Sequence, residues 1–250
     1  MSRYDFRAPR VYLQAAFGPD AIVPLERPQG NYLINVMRLR MGDGVLAFNG
    51  RDGEWRTELS GTAKRPELRA IEQARAQTAA TDLHYLFAPL KHARLDYMTQ
   101  KAVEMGASRL QPVLTRHTQV ARLNLDRMRA NAIEAAEQCG ILNIPDIREP
   151  IPLAQAIDAF PPERVLIFCD EDADSTDPVA ALAQAQTRAG GSPPLAVLVG
   201  PEGGFTQEER QKIVTVPRSV RLSLGPRILR ADTAAVAALA LANAVLGDWR

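Results

Sequence analysis

Histidine and cysteine are scarce in this chain: His84, His92 and His117 are the only histidines, and Cys139 and Cys169 the only cysteines. Two cysteines do not make a disulfide framework, and a reducing, cytoplasmic setting is expected. The histidines fall at no ligand spacing with the cysteines or carboxylates, so no metal is expected. An excess of one charge is also lacking: 30 Lys and Arg against 29 Asp and Glu leave a formal net charge of +1. There is thus no global pull toward nucleic acid or membrane, and any nucleic-acid site must come from local clusters of Arg and Lys. Nowhere does the chain approach the roughly 18 uninterrupted apolar residues of a membrane helix. The opening MSRYDFRAPR has no apolar signal-peptide core. The phosphate-binding G-x-G-x-x-G and Walker loops are absent, as is the G-x-S-x-G nucleophile elbow.

What is present is an ordinary globular composition, 46% hydrophobic and 24% charged over 250 residues, enough for one large domain or two modest ones. The first seventy-odd residues read as short strands with turns every eight to twelve residues, the pattern of a small barrel. VYLQAA (11–16), the run Val45 to Phe48, EWRTELS (54–60) and ELRAIEQ (67–73) are the strand candidates, with Asn49-Gly50 as the strongest turn signal. The polar stretch 73–82 separates this segment from an α/β pattern, so residues 1–75 and 76–250 are expected to form separate domains. Strands are expected at 83–89, 109–114, 164–170, 195–200 and 220–225. Helices are expected at about 94–105, 125–139, 178–188 and 232–246, giving a largely parallel sheet. TQEE (206–209) is a capping box.

Two stretches carry the chemistry. In LAVLVGPEGGFTQEER (195–210) a buried strand runs into Gly200, Pro201, Glu202, Gly203 and Gly204. Ligands of open α/β sheets sit beyond the carboxyl ends of strands. A loop without lysine but with exposed backbone suits an uncharged ring such as adenine. A plain strand-to-helix turn accounts for the same glycines. In LSLGPRILRADTA (222–234), Arg227 and Arg230 precede a helix starting near Asp232. Cations beside the positive end of a helix are locally unfavourable and point to an anionic partner, unless Arg230 simply pairs with Asp232. A weaker signal is the set Lys91, Arg94, Lys101, Arg116 and Arg122, which with Arg3, Arg7, Arg10, Arg38 and Arg40 could track a phosphate backbone or be solvated surface. His117, in TRHTQ, is a substrate-contact candidate. The acid run DEDAD (170–174) reads as a solvated loop whose first residues rim a pocket.

Together, in this order and separation, LVGPEGGFTQEE and LSLGPRILRADTA resemble RsmE-type enzymes of the SPOUT superfamily. KHARLDYMTQKAVEMG, AAEQCG and the β-rich start extend the likeness to nearly the whole chain. The resemblance implies a PUA-like RNA-binding β-barrel followed by a trefoil-knotted parallel α/β domain, paired into a homodimer. It implies S-adenosylmethionine as cofactor and methylation of a uridine at ring N3 in small-subunit (16S) ribosomal RNA, free or in the assembled subunit. Carried over by position, the cofactor pocket comprises Leu198, Val199, Gly200, Pro201, Glu202, Gly203 and Gly204 with Leu222, Ser223, Leu224, Gly225, Ile228 and Leu229. Arg230, Arg227 and Glu202 are the implied catalytic residues, with Asp232 as a second acid. RNA contacts fall to Arg7, Arg10, Arg38, Arg40, Lys91, Arg94, Lys101 and Arg116. The chain departs from the family pattern at Asn31, Ile141 and Asp232. Two rival functions stand beside this one. A sister methyltransferase on the same scaffold would leave a different modified nucleoside, and a non-catalytic assembly factor would bind RNA without the cofactor.

Overall fold

A computed structural model describes residues 8–120, 122–173, 177–189 and 193–249. Two compact units emerge, one built on the chain up to Ala79 together with Ala136–Ile144, the other on Ala80–Ala135 and the chain from Pro145 onward.

The first unit contains β1 (Arg10–Tyr12), β2 (Ile22–Pro24), α1 (Arg27–Asn31), a π-helical turn (Tyr32–Val36), β3 (Gly44–Phe48), β4 (Glu54–Thr62) and β5 (Arg65–Arg75). The strands form one sheet in the order β1-β3-β4-β5-β2, antiparallel except for β1 beside β3. Alternation fixes the register. Trp55, Thr57 and Leu59 point into the core with Leu33, Val45 and Leu68, while Arg56 and Glu58 point away. Asn49 shapes the β3–β4 turn, its Oδ1 accepting the N–H groups of Arg51 and Asp52. One segment departs from the all-β expectation. Residues 27–36 are helical because Pro28 presets the first turn and Gln29 Oε1 accepts the Glu26 N–H at 2.9 Å.

The chain continues, in the second unit apart from the last turn of α3, with β6 (Leu83–Phe87), α2 (His92–Glu104), β7 (Arg109–Leu114), α3 (Leu125–Cys139), β8 (Asp146–Ile147), β9 (Ile151–Pro152), α4 (Leu153–Asp158), β10 (Val165–Cys169), α5 (Pro178–Ala189), β11 (Leu195–Val199), α6 (Gln207–Val214), β12 (Ser219–Leu222) and α7 (Ala231–Val245). Six strands lie parallel in the order β12-β10-β11-β6-β7-β8, and β9 pairs with β7. β11 is buried along its whole length, as a central parallel strand covered on both faces must be. Ala234, Ala235, Ala238 and Ala242 form a small-residue stripe on α7, which packs against α2 and β11. The elements between residues 146 and 158 went unanticipated, because two-residue strands and a six-residue helix leave no periodicity to read. The order of strands matters most for function. β10 lies between β11 and β12, so the loops leaving Val199, Cys169 and Leu222 emerge side by side at one sheet edge.

Within the first unit, Glu54 is fully buried and accepts hydrogen bonds from Arg10 Nε at 2.7 Å and Arg75 Nε at 2.8 Å. Arg10 also donates to the carbonyls of Ala136 and Glu137, and Arg75 to that of Gly140. These carbonyls lie at the end of α3, where helix oxygens lack intrahelical partners and where cations are favoured by the dipole. Arg10, expected as an RNA contact, is thus turned inward within this unit. Its guanidinium is buried and committed to Glu54 and to the backbone.

Candidate active site

The two glycine-bearing loops meet at a single cavity of about 470 Å³, within the range of small-molecule sites of roughly 300–1,000 Å³. Val199 to Phe205 contribute one part of the lining, Leu222 to Leu229 a second, and Cys169, Asp170 and Glu171 a third, with Ala231 and Ala234 of α7 completing it. Most of the expected pocket residues are thus brought together. Two are not. Strand alternation turns Leu198 into the core beside Phe168 and Phe205. Arg230 is the exposed N-cap of α7 and lies outside the lining, whereas Arg227 and Ile228 are exposed within it. The alternative pairing of Arg230 with Asp232 is not made. Asp232 Oδ1 instead accepts the Thr233 N–H at 3.0 Å.

Each glycine has its own structural reason. A Cβ at Gly200 would stand 2.5 Å from the Phe205 ring, so this glycine serves packing. Gly225 is the contrast. Its φ is 93°, and a Cβ there would meet nothing within 4 Å. It is the position where the backbone borders open cavity rather than another part of the protein.

An ion network anchors the rim. The Asp170 carboxylate is 1% exposed and pairs with Arg210 of α6 and, at 2.8 Å, with Arg221 of β12. It therefore ties the end of β10 to the helix that follows the first glycine loop and to the strand that leads into the second. Arg210 also pairs with Glu171 and, at 3.0 Å, with Asp172. The first two acids of the DEDAD run do rim the cavity, as expected, and Asp174 lies outside the described residues. Arg210 and Arg221 were missed, since an arginine inside a helix or strand carries no sign in sequence of a buried partner brought in from another loop. Burial, and then the neighbouring Asp170, push the Cys169 thiol up to about 12. It is a neutral thiol at pH 7 and not a nucleophile.

The Pro201–Gly204 loop is held from outside as well. Glu202 pairs with Arg94 of α2, bringing together an expected acid and an expected RNA contact. His117, after β7, reaches the carbonyls of Gly203 and Gly204. The capping box forms as expected, Thr206 Oγ1 accepting the Glu209 N–H and Glu209 Oε2 the Thr206 N–H. Among the other expected RNA contacts, Lys91, Arg116, Arg38 and Arg40 are exposed, and Arg38 has a positive φ of 59°. Lys101 is partly buried and pairs with Glu104 at 2.7 Å. Arg7 lies outside the described residues. Among the described residues, no helix is long and apolar enough to cross a membrane.

A family model of the RNA methyltransferase domain matches residues 77–243, and one of the RNA methyltransferase PUA domain matches residues 25–70. A Synechocystis relative, ribosomal RNA small subunit methyltransferase E, is 32% identical over 91% of this chain and 74% of its own length. The chain belongs to the ribosomal RNA small subunit methyltransferase E family. The Rickettsia conorii member is 27% identical over 92% of this chain and 93% of its own. The crystal structure of a Neisseria gonorrhoeae member, bound to S-adenosyl methionine, matches with a TM-score of 0.81 and 26% identity, covering 98% and 100% of the two chains. A Legionella pneumophila methyltransferase in complex with the same cofactor matches with a TM-score of 0.79 and 27% identity, covering 95% and 98%. This family member thus has the expected parallel α/β fold and PUA-like N-terminal domain.

Proposed function

We propose that the protein transfers a methyl group from S-adenosylmethionine to N3 of a uridine in small-subunit ribosomal RNA, acting in the cytoplasm as a trefoil-knotted homodimer. The observation that carries the donor site is the convergence of two glycine loops on one cavity at the ends of adjacent parallel strands. The residues fit such a donor. Backbone-rich walls suit adenine and ribose, and Gly225 leaves open space where a side chain would intrude. Glu171 and Glu202 give the lining carboxylates compatible with a sulfonium. The cofactor supplies an electrophilic methyl group on that sulfonium.

The chain's own residues do the rest by position and charge. Uridine N3 must lose its proton before or during transfer, and negative charge then spreads onto the flanking carbonyl oxygens. Arg227 lines the cavity and Arg230 does not, which supports Arg227 as the group that stabilises that charge. Glu202 lines the cavity while Asp232 does not, which supports Glu202 as proton acceptor, directly or through water. Neutral Cys169 leaves direct transfer as the simplest course. The exposed Lys91, Arg116, Arg38 and Arg40 support RNA binding through phosphates, so affinity falls as salt rises. The target base must be unpaired or splayed to be reached.

The test is to incubate the protein with labelled S-adenosylmethionine and small ribosomal subunits, or free RNA, from a strain lacking the gene, and then identify the nucleoside. Labelled 3-methyluridine is expected. A methylated ribose or another base assigns a sister reaction, and no cofactor binding by calorimetry refutes the enzyme reading.

A further inference from the structure

The turn Thr115–Thr118 follows β7 at some distance in sequence from the donor loop, yet it is fixed at two points, to that loop and to the helix α6 that follows it. Glu209 spends one carboxylate oxygen on the α6 cap, and its other oxygen accepts the Arg116 N–H at 2.8 Å. His117 Nδ1 lies 2.9 Å from the Gly203 oxygen and 3.1 Å from the Gly204 oxygen. Both partners are carbonyls and only accept, so Nδ1 carries the proton. That holds for the neutral Nδ1–H tautomer and for imidazolium alike. The ring also packs against Gly203 so closely that a Cβ there would stand 3.2 Å from the His117 Cβ. The turn is internally braced, with Thr118 Oγ1 accepting the Thr115 N–H at 2.8 Å.

We infer that His117 is a positioning residue for the donor loop: its Nδ1–H holds the Gly203 and Gly204 carbonyls outward and so sets the backbone that seats the methyl donor. This rests on the donor-site reading above. His117 is exposed and not in the cavity lining, so its effect passes through Gly203 and Gly204. It belongs to neither of the core clusters around Phe205 and Leu33, so its loss should leave the fold intact.

Side-chain isosteres separate this role from mere bulk. The Asn amide nitrogen occupies the place of Nδ1, whereas the Gln amide reaches toward the place of Nε2. His117→Ala and His117→Gln should weaken S-adenosylmethionine binding by about tenfold in calorimetry, the size of a lost hydrogen-bond bridge. His117→Asn should stay within about twofold of wild type on the same scale. The loss should fall on the donor KM, with kcat at saturating donor little changed. Amide hydrogen exchange of Gly203–Phe205 in the unliganded protein reads the same idea without any donor. Exchange should quicken in the Ala and Gln variants and not in the Asn variant. Wild-type donor affinity in His117→Ala, or equal rescue by Gln and Asn, overturns the inference. So does a collapse of thermal stability in all three. Should wild type itself bind no S-adenosylmethionine, the donor-site reading fails, and the exchange data still decide whether His117 positions the loop.

Discussion

Gly200 and Gly225 stand in the two loops of one cavity, but replacing each by alanine should have opposite consequences. At Gly200 the new Cβ would lie 2.5 Å from the buried Phe205 ring, which is itself edge-on to Phe168 with centroids 5.1 Å apart. Neither ring has free space to move into, because both belong to the same core cluster as Leu198 and Ile213. Overpacking of this kind costs about 1–3 kcal/mol. For a chain of this size that is a fall in melting temperature of roughly 2–4 °C per kcal/mol. At Gly225 a Cβ meets nothing, so the folded protein bears only the strain of a positive φ, roughly 1 kcal/mol. The methyl group enters the border of the cavity instead, and donor affinity should fall by at least about tenfold, or 1.4 kcal/mol. Differential scanning calorimetry and titration calorimetry with S-adenosylmethionine on the two purified variants measure both quantities. If Gly225→Ala binds the donor as wild type does, or Gly200→Ala melts at the wild-type temperature, the division of labour between the two glycines is wrong.

Other outcomes follow from individual side chains. Arg227→Ala should lower kcat by about a hundredfold with little change in donor affinity, the pattern of a charge met only in the transition state; unchanged single-turnover rates would remove Arg227 from the mechanism. Glu54→Ala should destabilise the protein by about 3–5 kcal/mol in urea titration, because it strands the buried guanidinium of Arg10; a loss under about 1 kcal/mol would contradict that account. Burial, and then the charges of Arg164 and Arg109, hold the His84 imidazole down to about 4. The unfolded chain takes up this proton near the ordinary 6.5 while the folded chain refuses it, so stability is fully present above that value and falls as pH drops from 6.5 toward 4. Between about pH 7.5 and pH 5 the loss should approach about 2 kcal/mol, and His84→Gln should flatten the profile; an identical slope in both proteins would assign the acid sensitivity elsewhere.

Much of this architecture is readable from local pattern. The span of α3 coincides with its apolar spacing from Leu125 to Cys139, and the TQEE box caps α6 as its letters require. Buried parallel strands such as LAVLV announce themselves by continuous hydrophobicity. What escaped is non-local. Arg10 reads as one more surface cation until the fold surrounds it with Glu54 and the α3 carbonyls. Asp170 and Arg210 are 40 residues apart, and their pairing depends on strand order that no local window encodes. The glycines mislead in a different way. Their number points to a ligand, but the packing of Phe205 on Gly200 and of His117 on Gly203 accounts for two of them without any ligand.

The lock around Glu54 has a bearing on how this chain is made. Arg10 and Arg75 find their last acceptors on residues 136 to 140, far behind them on the ribosome. The N-terminal unit therefore leaves the exit tunnel without acceptors for part of its two guanidinium groups. Those carbonyls arrive only after more than sixty further residues have been synthesised beyond Arg75, and a fragment cut at the apparent domain boundary would lack them permanently.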